Sequence, residues 1–440
     1  MNGERHFDIT VIGGGVLGTC IAYWLTSHFD GSVALVEMES NVAVHASSRN
    51  TGVVHRPFYL DPGKKKIFAL SAQKSYGMWK RLSETASLPW RQHGTLEICL
   101  HEEDVPRLSV YMKWGRANGM GEEELVLLDR GEAGRIEPDV RCSGALLCRT
   151  DAAVDYGAFT RAVMSICRQN GLHLLLNSKL TGIESSNGRN VLLLNNGDTT
   201  LKATSDFVIN AAGGNAVDIA HRMGLGMQYT DIHFRGDYWK VLPDMLPSVR
   251  HNIYSLPAHS EFPFLDPHFV IRHDGGREIG PNAAMVAGPY QYSGMIAGLR
   301  QLLSKAFERP LLPKAKLAVN AEFISLARSE WRSSLSRDAM CGRVQKFIPS
   351  LRPDMLQDRG FGGIRSNLID RKGFVPEAVV TGNEQSLHVL NYNSPGATGA
   401  PAYSAYLVGL LKDGGFLDHM RLKTGGNRIW NFDEAAHMDG

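Results

Sequence analysis

The sequence predicts an α/β protein in which a Rossmann-type dinucleotide-binding domain, assembled from separated stretches of chain, carries a discontinuous second domain built on an antiparallel sheet. Three observations predict it. The β-branched run Phe7–Ile12 ends on Gly13-Gly14-Gly15 and is followed by a helical pattern and a second short strand. A strand with a small-residue turn recurs at Phe207–Gly214, as a Rossmann-type sheet would resume after an insertion. Residues 230–290 break the alternation, being rich in aromatic and β-branched residues between Pro and Gly turns, which favours antiparallel strands.

At 440 residues the chain exceeds the roughly 250–300 residues at which one core stops growing, so two domains are the default. Hydrophobic residues make up 43% and charged residues 21%, which fits a globular chain and excludes wholesale disorder. A formal charge of +2 argues against nucleic acid or a strongly anionic membrane as the main partner. The six cysteines form no CxxC, which suits a reducing, cytoplasmic setting and argues against structural zinc; no other metal motif is present. The first apolar run is too short for a signal peptide, and no window is long enough to span a bilayer; peripheral membrane contact needs no span and stays open.

In order along the chain, Phe7–Ile12 reads as a strand, Val16–His28 as a helix on the spacing of Leu17, Ile21, Trp24 and Leu25, and Ser32–Val36 as a strand closing a βαβ unit on Glu37. Helices are expected over 64–86 and 104–118, with a strand at Gly94–Leu100 between them. A helix over Asp155–Asn170 precedes strands at Leu172–Leu176, Val191–Leu194 and Phe207–Ile209. Residues 296–345 turn helical, and glycine-rich loops at Gly360–Arg365 and Asn391–Gly399 lead into a helix over Ala400–Leu411. The expected division is 1–85, 145–225 and 345–415 in the dinucleotide-binding domain, 86–144 and 226–344 in the second domain, and 416–440 as a C-terminal tail.

Gly13-x-Gly15-x-x-Gly18 stands where the dinucleotide fingerprint requires it. The first glycine permits the tight turn, the second lets pyrophosphate approach the backbone, and the third allows close helix–strand packing. The helix that follows offers its free N–H groups to phosphate. Glu37, ending the second strand, is placed to accept from ribose hydroxyls, and its charge disfavours a 2′-phosphate. The stretch Ala46–His55, rich in small hydrogen-bonding residues, could wrap an extended cofactor or be a polar surface loop.

Taken together, Gly13–Gly18, Ser47-Ser-Arg-Asn-Thr-Gly-Val-Val-His55 and Tyr59-Leu-Asp-Pro-Gly63 resemble the D-amino-acid-oxidase-like flavoprotein superfamily. Within it the chain looks most like the L-2-hydroxyglutarate dehydrogenase/oxidase family. The likeness recurs at Gly144–Leu147 with Val154-Asp155, Val208–Gly213, Arg235–Tyr238, Phe264–His268, Gly280–Ala283, Gly362–Arg365 and Ser394–Thr398. It implies a glutathione-reductase-like FAD domain, noncovalent FAD, and removal of hydride from a small 2-hydroxy acid, L-2-hydroxyglutarate first. Gly13, Gly14, Gly15, Val16, Leu17, Gly18, Glu37 and Met38 would hold the ADP half, and Ser47, Ser48, Asn50, Thr51, Gly52 and Val53 the middle of the cofactor. Ala212 and Gly213 would close over the adenine side, while Gly363, Arg365, Ser394, Gly396, Ala397 and Thr398 would approach the flavin. The chain departs from the family at Arg56-Pro57, where a small Ala-Gly is usual, and matches weakly over 296–335.

The chemistry needs a base for the hydroxyl proton and cations for carboxylates. His55 and His268 are the candidate bases, each with a structural role as the alternative; His55 could also pack on the flavin or carry a covalent link. Arg365, with Tyr238, is the leading catalytic-end candidate for the substrate carboxylate, followed by Arg56, Arg235, Lys240 and Arg272. A dicarboxylate needs at least two cationic contacts, and this set is expected to supply them. Asn393 would bond substrate or a flavin carbonyl, or fix its loop. Amino-acid or amine oxidation, glycerol-3-phosphate oxidation and a partner-dependent flavoprotein subunit are the alternatives. The electron acceptor is open between oxygen, a quinone and an electron-transfer protein.

Overall fold

The computed structural model describes residues 5–438 apart from 187, 198, 258–261, 263–265, 293–298 and 361. Phe264 and Leu265 of the Phe264–His268 stretch, and the first residues of the 296–335 segment, thus lie outside the described residues.

The first sheet has Arg5–Ile12 at its centre, paired in parallel with Val33–Val36 on one side and Thr199–Asn210 on the other. Register aligns Ile12 with both Val36 and Asn210. Gly13, Glu37 and Ala211 therefore emerge together at the carboxyl end of the sheet, the end at which α/β sheets bind ligands. His173–Leu175 extends the sheet beyond Val33–Val36, Ser386–Asn391 adds a further parallel strand beside Thr199–Asn210, and an antiparallel hairpin of Lys179–Ser186 and Arg189–Asn196 completes that edge. The helix Val16–His28 is apolar on nearly all sides and sits beneath the helices Tyr156–Gln169 and Gly396–Asp413. Trp24, fully buried, donates its Nε1–H to the Pro401 carbonyl at 2.8 Å, which satisfies the one polar atom the ring carries inside.

The segment 230–290 forms antiparallel strands divided between two sheets. Thr230–Gly236 and Ala284–Val286 join Gly363–Asp370 in a four-stranded sheet. Trp239–Val241, Asn252–Ser255, His268–Ile271 and Arg277–Gly280 join an eight-stranded sheet with Thr95–Cys99, Gly144–Cys148 and Leu125–Asp129. One pairing departs from antiparallel: Asn252–Ser255 runs parallel to Thr95–Cys99.

Three placements differ from expectation. Gly144–Cys148, expected in part with the dinucleotide-binding stretch, is a wholly buried strand held between Thr95–Cys99 and Leu125–Asp129. Residues 416–438, expected within a C-terminal tail, pack back onto the first helix. Arg421–Leu422 pairs with Phe29–Asp30, and the buried rings of Trp430 and Phe432 pack on Trp24 at centroid distances of 5.8 and 5.6 Å. Apolar rings of that size bury wherever a surface receives them. The last long helix begins at Gly396, a turn before Ala400. No helix among the described residues is long and apolar enough to cross a membrane.

Candidate active site

The turn after Arg5–Ile12 is built as its glycines require. Gly13 has φ +107°, and a Cβ there would meet the Ala211 carbonyl oxygen at 2.6 Å. A Cβ on Gly18 would come within 2.0 Å of the Gly13 carbonyl oxygen, so the helix lies flush on the turn. Glu37, buried at the strand end, accepts from the Gly14 amide at 2.6 Å and the Glu39 amide at 2.9 Å while still facing the cavity above the turn. Ser47 reaches over the same helix start, its hydroxyl accepting from the Val16 amide at 2.9 Å.

From this turn a cavity of about 830 Å³ runs through the interior to the eight-stranded sheet. At the first end it is walled by Gly13, Gly15, Val16, Leu17, Glu37, Met38, Ala212 and Gly213. Ser47, Asn50, Thr51 and Val53 line its middle, and Gly363, Asn393, Ser394, Gly396, Ala397 and Thr398 line the approach to the far end. The N-terminus of the helix Gly396–Asp413 is thus turned toward the cavity, with the positive end of its dipole. Gly14, Gly18, Ser48 and Gly52 stand behind the wall. Asn50 holds its own loop, accepting from the Gly52 amide at 2.8 Å, and Asn393 donates to the Ser366 carbonyl at 3.0 Å. A Cβ on Gly363 would meet the Arg49 carbonyl oxygen at 1.8 Å, so this strand and the 46–52 loop touch backbone to side-chain-free backbone.

At the far end His55 Nδ1 lies 2.9 Å from Asp151 Oδ2, with the Asp151 side chain completely buried. That carboxylate also accepts from the Arg56 amide at 2.7 Å and the Thr95 hydroxyl at 2.7 Å. A buried carboxylate is tolerated only with such a set of donors. With Asp151 accepting at Nδ1, the neutral ring presents Nε2 as an acceptor, and the Tyr254 hydroxyl lies 3.5 Å from it. His268 stacks on Tyr254 at a centroid distance of 3.9 Å. Burial, reinforced by His55 and Arg365, lowers its pKa to about 3, and its Nδ1 has no partner among the described residues. Tyr238, Tyr59 and Tyr254 close the chamber, and burial raises the pKa of each. Burial also pulls Arg365 below its usual value, with the hydroxyls of Tyr238 and Tyr59 opposing the shift; its guanidinium meets no carboxylate among the described residues.

Of the other cations expected in this region, Arg272 lies over the Tyr238 ring at 5.0 Å, and each of the arginines is held by a carboxylate. The Arg56 guanidinium turns to Glu124 at 2.9 Å and lies over the Tyr76 ring at 4.3 Å. Arg235 is paired with Asp237 at 2.8 Å, and Arg272 with Glu278 through its Nε at 2.8 Å. Lys240 lies exposed on its strand. A buried guanidinium is held by whichever carboxylate the fold brings to it, and these found theirs outside the cavity. Asp151, Tyr254 and Glu97 were not singled out from sequence, and Tyr59 entered only as the first residue of the Tyr59–Gly63 stretch. Only Glu97 had a readable signal there: Thr95-Leu-Glu-Ile-Cys99 alternates, which sets Thr95 and Glu97 on one face of the strand.

Comparison with known proteins agrees with this architecture. The family model described as FAD dependent oxidoreductase matches residues 8–410. The chain is similar to the mitochondrial L-2-hydroxyglutarate dehydrogenase of Nematostella vectensis, 27% identical over 420 residues, which covers 91% of this chain and 89% of that protein. It is 28% identical over 428 residues to the human mitochondrial L-2-hydroxyglutarate dehydrogenase, covering 91% and 88%. Its fold resembles that of the FAD-bound L-α-glycerophosphate oxidase of Mycoplasma pneumoniae, with a TM-score of 0.72 at 20% identity over 96% of this chain and 98% of that one. The glycine turn, the buried carboxylate beside it and the long cavity fit FAD, and the chain belongs to the FAD dependent oxidoreductase family.

Proposed function

We propose that this FAD-dependent oxidoreductase oxidises a small 2-hydroxy acid at the far end of the cavity, L-2-hydroxyglutarate being the first compound to test. The observation that carries the reading is the His55–Asp151 pair, whose Nε2 faces the same chamber as the Arg365 guanidinium, which meets no carboxylate among the described residues. The names of the relatives support the substrate class.

Arg365 holds the substrate carboxylate bidentately, which fixes the carbon bearing the hydroxyl. His55 Nε2 accepts the hydroxyl proton, and Asp151 stabilises the imidazolium that forms while keeping the ring in place. Bound FAD supplies the acceptor for the hydride that leaves this carbon. His268, held uncharged by burial, orients Tyr254 by stacking and takes no proton near neutral pH. In the same reading Gly13–Gly18 and Glu37 hold the ADP half of the cofactor, Ser47, Asn50, Thr51 and Val53 its middle, and Gly363 and Ser394–Thr398 its flavin. The strands around the glycine turn, with 152–225, 379–413 and the C-terminal residues 416–438, are proposed as the FAD-binding domain. The two other sheets form the substrate domain.

Anaerobic mixing of the purified flavoprotein with L-2-hydroxyglutarate, other 2-hydroxy acids, glycerol 3-phosphate and amino acids tests this. Bleaching of the flavin by 2-hydroxy acids supports it. Bleaching by glycerol phosphate or an amino acid alone discards the substrate class.

A further inference from the structure

Beyond His55 the chamber continues along the strand Thr95–Cys99. Thr95 bonds Asp151, and Glu97, two residues further on the same face, lies about 7 Å along at the usual strand rise. Its register partner is Tyr254, so the Glu97 side chain stands beside the tyrosine that reaches His55. Tyr59 and Tyr111 line the same end. Glu97 is 7% exposed, and that remaining surface faces the cavity. No hydrogen bond or ion pair holds its carboxyl among the described residues.

The charges around it are equally specific. Asp151 is the acid that acts on it. The facing cation, Arg107, is engaged by Asp104 at 3.0 Å and by the Pro257 carbonyl at 3.0 Å. Burial, with Asp151 adding to it and Arg107 opposing, raises the Glu97 pKa to about 8. Of the other cations on the cavity wall, Arg49 lies over the Tyr292 ring, Arg222 donates to the Leu180 and Thr181 carbonyls, and Lys179 follows Ser178, whose amide bonds the Glu37 carbonyl. All three belong to the Glu37 half. Arg365 is thus the guanidinium available at this end among the described residues, and one guanidinium serves one carboxylate.

We infer that Glu97 forms a subsite for the tail of the substrate, and that this subsite takes a hydrogen-bond donor, such as an amide, a hydroxyl or an ammonium group, in preference to a second carboxylate. The inference rests on the 2-hydroxy-acid reading above and narrows it. Above about pH 8, where Glu97 is ionised, a tail carboxylate would be desolvated against a like charge, whereas a donor satisfies a carboxyl oxygen that nothing among the described residues satisfies.

The test compares anaerobic flavin reduction of the FAD-loaded protein by L-2-hydroxyglutarate, its 5-amide and L-2-hydroxypentanoate above pH 8, where Glu97 is ionised, each as the second-order rate constant of reduction, in the wild type and in Glu97→Gln. The amide is expected to exceed the diacid by about tenfold or more in the wild type, the size of effect one unpaired polar contact produces. Glu97→Gln is expected to move the diacid-to-amide ratio toward the diacid by a similar factor. Flavin absorbance per chain checks that the variant is folded, and the wild-type ratio stands without any variant. A wild type that prefers the diacid, or a ratio unmoved by Glu97→Gln, overturns the subsite while leaving the 2-hydroxy-acid reading in place. Reduction by none of the three, with reduction by glycerol phosphate or an amino acid, overturns both.

Discussion

His55, Asp151 and Arg365 divide the proposed chemistry between them, and each predicts a different loss. Replacing His55 by Ala removes the proton acceptor and is expected to slow flavin reduction by about 10²–10⁴-fold with FAD content unchanged. Asp151→Asn keeps a partner for Nδ1 but not the charge that stabilises the imidazolium, so a loss approaching that of His55→Ala is expected in stopped-flow reduction. A rate within a factor of two of wild type would remove Asp151 from the mechanism. Arg365→Lys, which loses the planar fork, is expected to act mainly on KM, raising it by about ten- to a hundredfold. These residues were unequally legible. Gly13, Gly15, Gly18 and Glu37 declare themselves because their roles depend on spacing within one βαβ unit. Asp151 was invisible, since it meets His55 only once the sheet strand at 95–99 and the loop after 144–148 are folded. The ranking of the arginines was equally hidden. Arg56 and Glu124 are far apart in sequence, although Arg235 and Asp237, two apart where one strand ends, were a local pair that could have been read.

At the scale of elements, the helices and the first sheet follow their apolar periodicity closely; the helix at Val16–His28 lies where spacing set it. What periodicity could not supply was which sheet each short strand joins, because pairing partners are chosen by burial over long separations. Gly144–Cys148 and the split of 230–290 show this. The packing of the C-terminal segment was hidden for a related reason, since a few aromatic rings between polar residues carry no period. Trp430 lies 4.8 Å from Tyr23 and 5.8 Å from Trp79 between ring centroids, and its Nε1–H is taken by the Met78 carbonyl at 2.8 Å. Trp430→Ala is expected to cost about 3–5 kcal/mol in denaturant unfolding, as large buried rings do. A cost below about 1 kcal/mol would mean the segment is a tail after all. The glycine turn makes the complementary prediction. Gly18→Ala forces a methyl against the Gly13 carbonyl, so the protein is expected to purify with little or no flavin absorbance, while far-UV circular dichroism stays native.

For the whole molecule, burial leaves two opposed sets of titrating groups. Burial lowers the pKa of His268 to about 3, and those of His28 and His388 to about 4. The unfolded chain takes up these protons near pH 6.5 and the folded chain does not, so stability falls as pH drops from about 6.5 toward 4. Glu97 acts in the other direction. Its folded pKa of about 8 lies above the unfolded value near 4.5, so the folded chain holds a proton that the unfolded chain releases. Its contribution is complete below pH 4.5 and is lost as pH rises through 8. The flavoprotein should therefore have its highest Tm in the mildly acidic to neutral range and lose stability on both sides. Glu97→Gln removes the alkaline component alone. The difference in Tm between Glu97→Gln and wild type, followed by thermal unfolding from pH 5 to 8.5, is expected to shift steadily in favour of the variant as pH rises. Parallel curves across that range would mean that Glu97 is ionised in the folded protein and paired, and the acidic carboxyl at the end of the cavity would then have a partner that its surroundings do not show.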